Sequence, residues 1–262
     1  MAGRRTKTVK NYMRKPWVVI PTYNEIGNVE PLANALLDLA IPALQVLFVD
    51  DNSPDGTGEL LEKLTCRFPG QVNVLHRTGP RGLGHAYGDG FRHALAAGAT
   101  ALVQMDADFS HQPQEAPHLL AALETADLVI GSRYVTGGGI DPAWAVQRRV
   151  LSSGGNLYAR LILGLRTVQD ATGGFRAWRR ETLWGIGLER IHSQGYIFQV
   201  ETTYVAHRLG YKIVEIPIFF PDRQVGESKM DLKIKIEATL RVWDVWRRHR
   251  RLTSQDRITE SQ

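Results

Sequence analysis

The chain has 262 residues, 43% hydrophobic and 23% charged, which fits one folded domain or one domain with a small appendage. A single cysteine, Cys66, excludes an internal disulfide and any CxxC metal site, in keeping with a reducing compartment. The net charge is +5, with the excess at the two ends, and no stretch approaches the roughly 20 apolar residues that a membrane span needs.

Residues 1–16 carry Arg4, Arg5, Lys7, Lys10, Arg14 and Lys15 and no acid. They read as a basic tail, either solvated or drawn to phosphate in anionic lipid or nucleic acid. No long apolar segment follows, so no secretory signal is read, and a cytoplasmic chain that at most lies on a membrane is expected. Residues 17–20 form an apolar strand that stops at Pro21. A helix is expected over 27–40, with Val29, Leu32, Ala33, Leu36, Leu37 and Ala40 on one stripe. The strand at 46–49 ends in Asp50-Asp51, and the turn Asn52-Ser53-Pro54-Asp55-Gly56 leads into a helix over 57–67. A third strand, 72–75, precedes a glycine-rich helix start at 82–90.

Strand 101–105 closes on Asp106-Ala107-Asp108. Two carboxylates one residue apart at a strand end do not fill a core, because burying them unpaired is costly. As hard oxygen ligands they suit Mg2+ or Mn2+, ions that bridge phosphate oxygens. A helix over 113–124 and a strand over 128–130 follow. Beyond them the pattern loosens. Gly137-Gly138-Gly139 reads as a mobile loop, 144–163 as a helix, 173–180 as a turn entering an edge strand, 195–209 as a helix, and 212–220 as a strand with Pro217 at an edge or bulge. Residues 252–262 are polar and expected to be disordered.

Strands alternating with helices imply an α/β fold, a mostly parallel sheet with helices on both faces. Such sheets bind ligands beyond the carboxyl ends of their strands. The polar groups after strands one, two and four should therefore meet on one rim. The segment Gly82-Leu83-Gly84-His85-Ala86-Tyr87-Gly88 is not the dinucleotide fingerprint. Its glycines serve either close approach to phosphate or sugar oxygens at a helix start, or tight packing of helix on sheet.

Four motifs then follow in order: Pro21-Thr22-Tyr23-Asn24-Glu25, Asp50-Asp51-Asn52-Ser53-Pro54-Asp55-Gly56-Thr57, the acidic pair, and Gly131-Ser132-Arg133-Tyr134. In this order they resemble the inverting glycosyltransferases of family 2, which have a Rossmann-like GT-A fold. Phe198-Gln199-Val200-Glu201 and Pro217-Ile218, with Arg223, Gly226, Ser228 and Lys229, are similar to the dolichol-phosphate or polyprenol-phosphate mannosyltransferases. The resemblance spans roughly residues 17–230. It divides the chain into the basic tail 1–16, a GT-A domain 17–229, a basic amphipathic helix 230–251 and the tail 252–262.

The resemblance implies transfer of mannose from GDP-mannose to a polyprenyl monophosphate. Pro21, Tyr23 and Glu25 would line the nucleoside pocket, and Asp51 would hold the base or ribose, with Asp106, Ala107 and Asp108 completing the donor site. Asp106 and Asp108 would carry Mg2+ or Mn2+. Ser110 stands where relatives often place glutamine, a weaker third ligand that leaves room for water. Arg133, Arg148 and Ser152 would grip the acceptor phosphate, with the last two four residues apart on one helix face. Arg223 and Lys229 lie in the loop 221–230, which either closes over the donor diphosphate or is a solvated basic loop. Asp108, Arg133, Arg223 and Lys229 are thus the expected catalytic set.

A phosphate monoester is already anionic near neutrality, with a second pKa around 6, so it needs no proton removed before attack. No dedicated base is expected, and one in-line displacement would give a β-linked mannosyl phosphate. Glu201 as general base is the competing reading, and the roles of Gln199 and Glu201 stay open at this point. Leu232, Ile236, Leu240, Trp243 and Trp246 recur at helical spacing among basic residues. They form either a helix lying in the membrane interface or one packed on the core. The expected partners are therefore GDP-mannose, a polyprenyl monophosphate and a membrane surface, with room for a separate membrane-anchor subunit. A glucosyltransferase using UDP-glucose would share nearly every motif. A non-catalytic nucleotide-sugar-binding module predicts binding without turnover. Charge alone would suit nucleic acid, but the acidic rim argues against it.

Overall fold

The computed structural model describes residues 14–221 and 232–260, with the side chains of 232–239 outside that description. The first half alternates β1 (Pro16–Thr22), α1 (Val29–Leu37), β2 (Gln45–Asp50), α2 (Thr57–Arg67), β3 (Val72–His76), α3 (Leu83–Ala96), β4 (Ala101–Gln104), α4 (Ala116–Ala122) and β5 (Leu128–Ser132). Then come β6 (Gly139–Ile140), α5 (Val146–Leu163), β7 (Arg176–Arg179), α6 (Arg180–Gly185), α7 (Ile197–Arg208), β8 (Ile213–Pro217), β9 (Phe219–Phe220) and α8 (Leu232–His249).

Among the described residues the main sheet has seven strands in the order β3-β2-β1-β4-β7-β5-β8. All neighbours pair in parallel except β7, which runs antiparallel to both β4 and β5. Strand alternation splits the interior in two. Val18, Ile20, Phe48 and Val103 face a core with α1 and α4. Trp17, Val19, Leu47 and Leu102 face the other core, with α3 and α7. Helix α7 is buried from Ile197 to Ala206 because α8 covers its outer side, with Val242 and Val245 turned inward.

Three expectations are corrected. The segment 173–180 does not enter an edge strand: β7 is central, and Trp178, Ala177 and Arg176 are wholly buried. The glycine loop 137–139 is not free-standing, since Gly139 and Ile140 pair with Phe219 and Phe220. The polar tail is not loose over its described part. The Ile258 amide donates to the Gly185 carbonyl at 3.1 Å, Arg180 pairs with Glu260, and Thr253 and Asp256 cap one short turn reciprocally. The edge position expected of Pro217 is observed at the end of β8.

Candidate active site

Parallel pairing sets the ends of β1, β2 and β4 on one edge. Thr22 faces Asp50, and the Asp51 amide donates to the Thr22 carbonyl at 2.9 Å. The start of α3 spans this rim. The Gly82 amide donates to Asp51 Oδ2 at 2.8 Å, while the Tyr87 hydroxyl donates to Asp106 Oδ1 at 2.8 Å. Five residues of helix rise about 7.5 Å, so one short element ties both acidic tips together. For Gly84 the structure favours packing: a Cβ there would sit 2.6 Å from the Ser193 carbonyl oxygen.

Asp51 is buried, and Arg77 occupies its Oδ1 while also donating to Asp89 at 2.6 Å. Its carboxylate is thus held by protein donors as it reaches the rim. Tyr23 accepts from Arg81 Nη1 at 2.8 Å, and that guanidinium lies 4.6 Å from the tyrosine ring centroid. Glu25 accepts from Asn28 at 2.7 Å at the entry to α1. Asp55 serves the turn, bonding Thr57 and the Ile26 amide. Burial pushes its carboxyl up, but the bonds from Thr57 and Ile26 outweigh this and hold it below its ordinary value. Pro21 is half-buried beside these groups.

At the acidic pair the chain turns sharply. Phe109 has φ +58°, a strained conformation for an aromatic residue. The turn lets Ser110 donate to Asp108 Oδ1 from both its amide, at 3.1 Å, and its hydroxyl, at 2.5 Å. Ser110, the residue expected as a third metal ligand, is 1% exposed and braces Asp108 through these two bonds. Ala107 turns its methyl into the core, leaving only its backbone on the rim. His111 is buried, stacks 5.0 Å from Phe175 and accepts the Asp106 amide on Nδ1 at 2.9 Å.

The donor set fits a hard cation. Two carboxylates stand one residue apart with Asp106 31% exposed, and Gly174 leaves a cradle beside Asp106 Oδ2 that a Cβ would fill at 3.5 Å. Among the described residues no cluster of three or more His, Cys, Asp or Glu forms a closed metal site. A two-carboxylate set of this kind leaves coordination positions for diphosphate oxygens and water.

Because β7 runs backwards, the loop before it returns to the same rim. Asp170 in that loop grips Arg133 at the end of β5 by two bonds of 2.8 Å, and Arg133 also donates to Thr172 at 2.9 Å. Burial pulls the Arg133 pKa down, but Asp170 more than offsets this and holds it above its ordinary value. Two Glu215 oxygens accept the amides of Gln169 and Asp170, at 2.6 and 2.7 Å, and fix the loop. Next to Arg133, the Tyr134 hydroxyl bonds Ser152 Oγ at 2.9 Å. Arg148 lies one turn earlier on α5, 3.5 Å from the Trp144 ring centroid. The structure thus brings Ser152 against Tyr134, the neighbour of Arg133, and places Arg148 on the same helix as Ser152. Arg223 and Lys229 lie outside the described residues.

Glu201 is fully buried and accepts from the His192 and Ser193 amides, Arg248 and His249. Gln199 accepts from Gln104 at 2.5 Å, with its Nε2 beside the Gly174 cradle. Arg176 is wholly buried and donates to the carbonyls of Ala171, Gly173 and Gln199, so it ties the Asp170 loop to α7. Burial lowers its pKa to about 9. Sequence reasoning missed Arg77, Arg81, Tyr87 and Asp170. The acids at 89 and 170, opposite Arg77 and Arg133, were the available signal, but their pairing is long-range.

On the outer surface α5 exposes Val146, Val150, Leu157 and Leu161, spaced along one stripe, and the adjoining α8 exposes Leu240 and Trp243. The apolar residues of α8 are therefore divided between core and solvent. Among the described residues no helix is long and apolar enough to cross a membrane.

A largely parallel sheet with one reversed central strand, and an acidic pair at its strand-end rim, defines a glycosyltransferase of the GT-A class. The fold agrees with glucosyl-3-phosphoglycerate synthase of Mycobacterium tuberculosis, solved with Mn2+, uridine diphosphate and glucosyl-3-phosphoglycerate: TM-score 0.64, 19% identity, 95% of this chain and 86% of that one. Residues 17–187 match Glycosyl transferase family 2. The undecaprenyl-phosphate mannosyltransferase of Micrococcus luteus is 50% identical over 86% of this chain and 90% of its own length. The polyprenol monophosphomannose synthase of Mycolicibacterium smegmatis is 46% identical over 92% of this chain and 90% of its own. The chain belongs to glycosyl transferase family 2, alongside its polyprenol-phosphate mannosyltransferases.

Proposed function

We propose that this chain transfers mannose from GDP-mannose to a polyprenyl monophosphate with inversion, giving a β-linked mannosyl phosphate. The observation that carries this reading is the shared rim. Asp106 and Asp108 stand at one strand end, and Arg133, forked onto Asp170, stands two strands away. Donor and acceptor phosphates would thus meet across β7. Kinship with enzymes named for mannosyl transfer to polyprenyl phosphates supports the substrate class.

Pro21, Tyr23, Glu25 and Asp51 line the nucleoside side, with Arg81 stacked on Tyr23 as a further cation there. Asp106 and Asp108 would hold Mg2+ or Mn2+, which when bound neutralises charge on the departing diphosphate. Arg133, Arg148 and Ser152 orient the acceptor phosphate, since fixed arginine forks match phosphate geometry. The acceptor oxygen is already anionic, so alignment carries the reaction and no protein base takes a proton. The saturation of Glu201 by four protein donors supports that mechanism. The exposed stripes of α5 and α8, flanked by Arg148, Arg149, Arg247 and Arg251, suit the cytoplasmic surface of an anionic membrane, where the lipid acceptor resides.

The test is one panel. Purified protein with Mg2+ or Mn2+ is incubated with radiolabelled GDP-mannose, UDP-glucose or UDP-N-acetylglucosamine and a polyprenyl phosphate, and the lipid is extracted. Label in the organic phase from GDP-mannose alone is expected. Label from UDP-glucose instead, or GDP binding without transfer, overturns the reading.

A further inference from the structure

Tyr87 has no part in the chemistry described so far, yet it touches the acidic pair directly. Its ring is wholly buried on α3, 5.6 Å from the Phe91 ring and 5.9 Å from that of Phe198, to which it lies within 10° of parallel. The Phe91 and Phe198 rings lie 6.3 Å from each other, so the three form one buried aromatic cluster that limits where the phenol hydroxyl can point. That hydroxyl donates to Asp106 Oδ1 at 2.8 Å. A phenol has a single proton to give.

The consequence falls on the other carboxylate oxygen. Asp106 Oδ2 takes no hydrogen bond from any described residue; His111 Nδ1, 4.0 Å away, is itself accepting the Asp106 amide. Oδ2 faces the cradle left by Gly174, where a Cβ would come within 3.5 Å of it and of Gln199 Nε2. On the second carboxylate, Ser110 is hydrogen-bonded to Asp108 Oδ1.

We propose that Tyr87 is a positioning residue for the metal site, its hydroxyl fixing the Asp106 carboxylate so that Oδ2 is presented to the divalent cation. This rests on the reading of Asp106 and Asp108 as the cation's carboxylates. A tyrosine that merely fills the core would be replaced by phenylalanine without consequence at the rim. Asp106 is 31% exposed, so water can replace the lost hydroxyl and the fold of Tyr87→Phe is kept.

The test is Mn2+ affinity by electron paramagnetic resonance on the full chain with GDP present, alongside melting curves. Tyr87→Phe is expected to bind Mn2+ about tenfold more weakly, the scale of one hydrogen bond to a charged group. Phe198→Leu, which loosens the ring but keeps the hydroxyl, is expected to lose less than about threefold. Wild-type affinity in Tyr87→Phe, or equal losses in both variants, overturns the proposal. Asp106→Asn is the reference: undiminished Mn2+ binding there overturns the metal reading itself, whatever Tyr87→Phe does.

Discussion

The Asp170 carboxylate meets the Arg133 guanidinium in a two-pronged pair, each bond 2.8 Å, with Asp170 fully buried. The fork consumes one edge of the guanidinium and fixes its plane. Nη2 also donates to Thr172, so what Arg133 keeps for the rim is Nη1, held rigidly.

Asp170→Ala should strand a buried guanidinium. Removing one partner of such a pair costs about 3–5 kcal/mol, a fall in Tm of roughly 6–20 °C for a chain of this size. Arg133→Lys keeps a charge but loses the fork. It should raise KM for polyprenyl phosphate about tenfold while GDP affinity is unchanged. An equal loss of both affinities would contradict the assignment of Arg133 to the acceptor.

Asp108→Ala should lower transfer at least about 100-fold and remove Mn2+ binding, with the melting curve little changed. Excess chelator should do the same to the wild type. Full transfer in chelator would remove the cation from the reaction.

Glu201→Gln is expected to act on stability before chemistry. Burial pushes the Glu201 carboxyl up, but hydrogen bonds from His249 and Ser193 and the Arg248 charge outweigh it and hold the pKa below its ordinary value. A depressed pKa means the unfolded chain binds the proton more tightly. The stabilisation is therefore complete above about pH 5, and is lost as pH falls through the folded-state value. Acid melting curves should show Glu201→Gln losing this pH dependence. The rate profile near neutrality should keep its shape, whereas a catalytic base would remove one limb.

Arg81→Ala removes the cation stacked on Tyr23. GDP affinity should fall about three- to tenfold, with the acceptor KM unmoved, as calorimetry with GDP and initial rates would show.

Leu161→Glu and Val150→Glu place charge on the exposed stripe of α5. Each should weaken sedimentation with vesicles containing anionic lipid, and lower transfer to a long polyprenyl phosphate more than to a short, water-soluble one. Unchanged vesicle binding would move the membrane surface elsewhere.

The sequence made the donor half legible because its signals are local. The apolar runs ending in Asp50-Asp51 and Asp106-Ala107-Asp108 are strand, turn and rim in one stretch of chain. The acceptor half was harder. Nothing local marks Arg176, rather than Arg179 or Arg180, as the buried cation until Ala171, Gly173 and Gln199 are seen to surround it. The short β7 carries no mark of its direction, and its central place depends on pairing with β4 and β5, which precede it by many residues. Tyr87 looks like one more helix aromatic, since its partner lies nineteen positions along the chain. The α8 stripe read from the sequence is divided, with Trp246 packed against the core and Leu240 and Trp243 exposed, while Val242 and Val245, outside that stripe, turn inward.

The reversal of β7 also bears on how the polypeptide is made. While the ribosome is still short of residue 176, β4 and β5 each show a bare flank of unpaired amides and carbonyls, lined by Leu102, Val103 and Val129. One late strand seals the facing flanks of both at once, and the outer flank of β5 waits longer still, for β8. A nascent chain stalled or cleaved before residue 176 exposes these unpaired edges to its neighbours, so aggregation of truncated products is the outcome this topology favours.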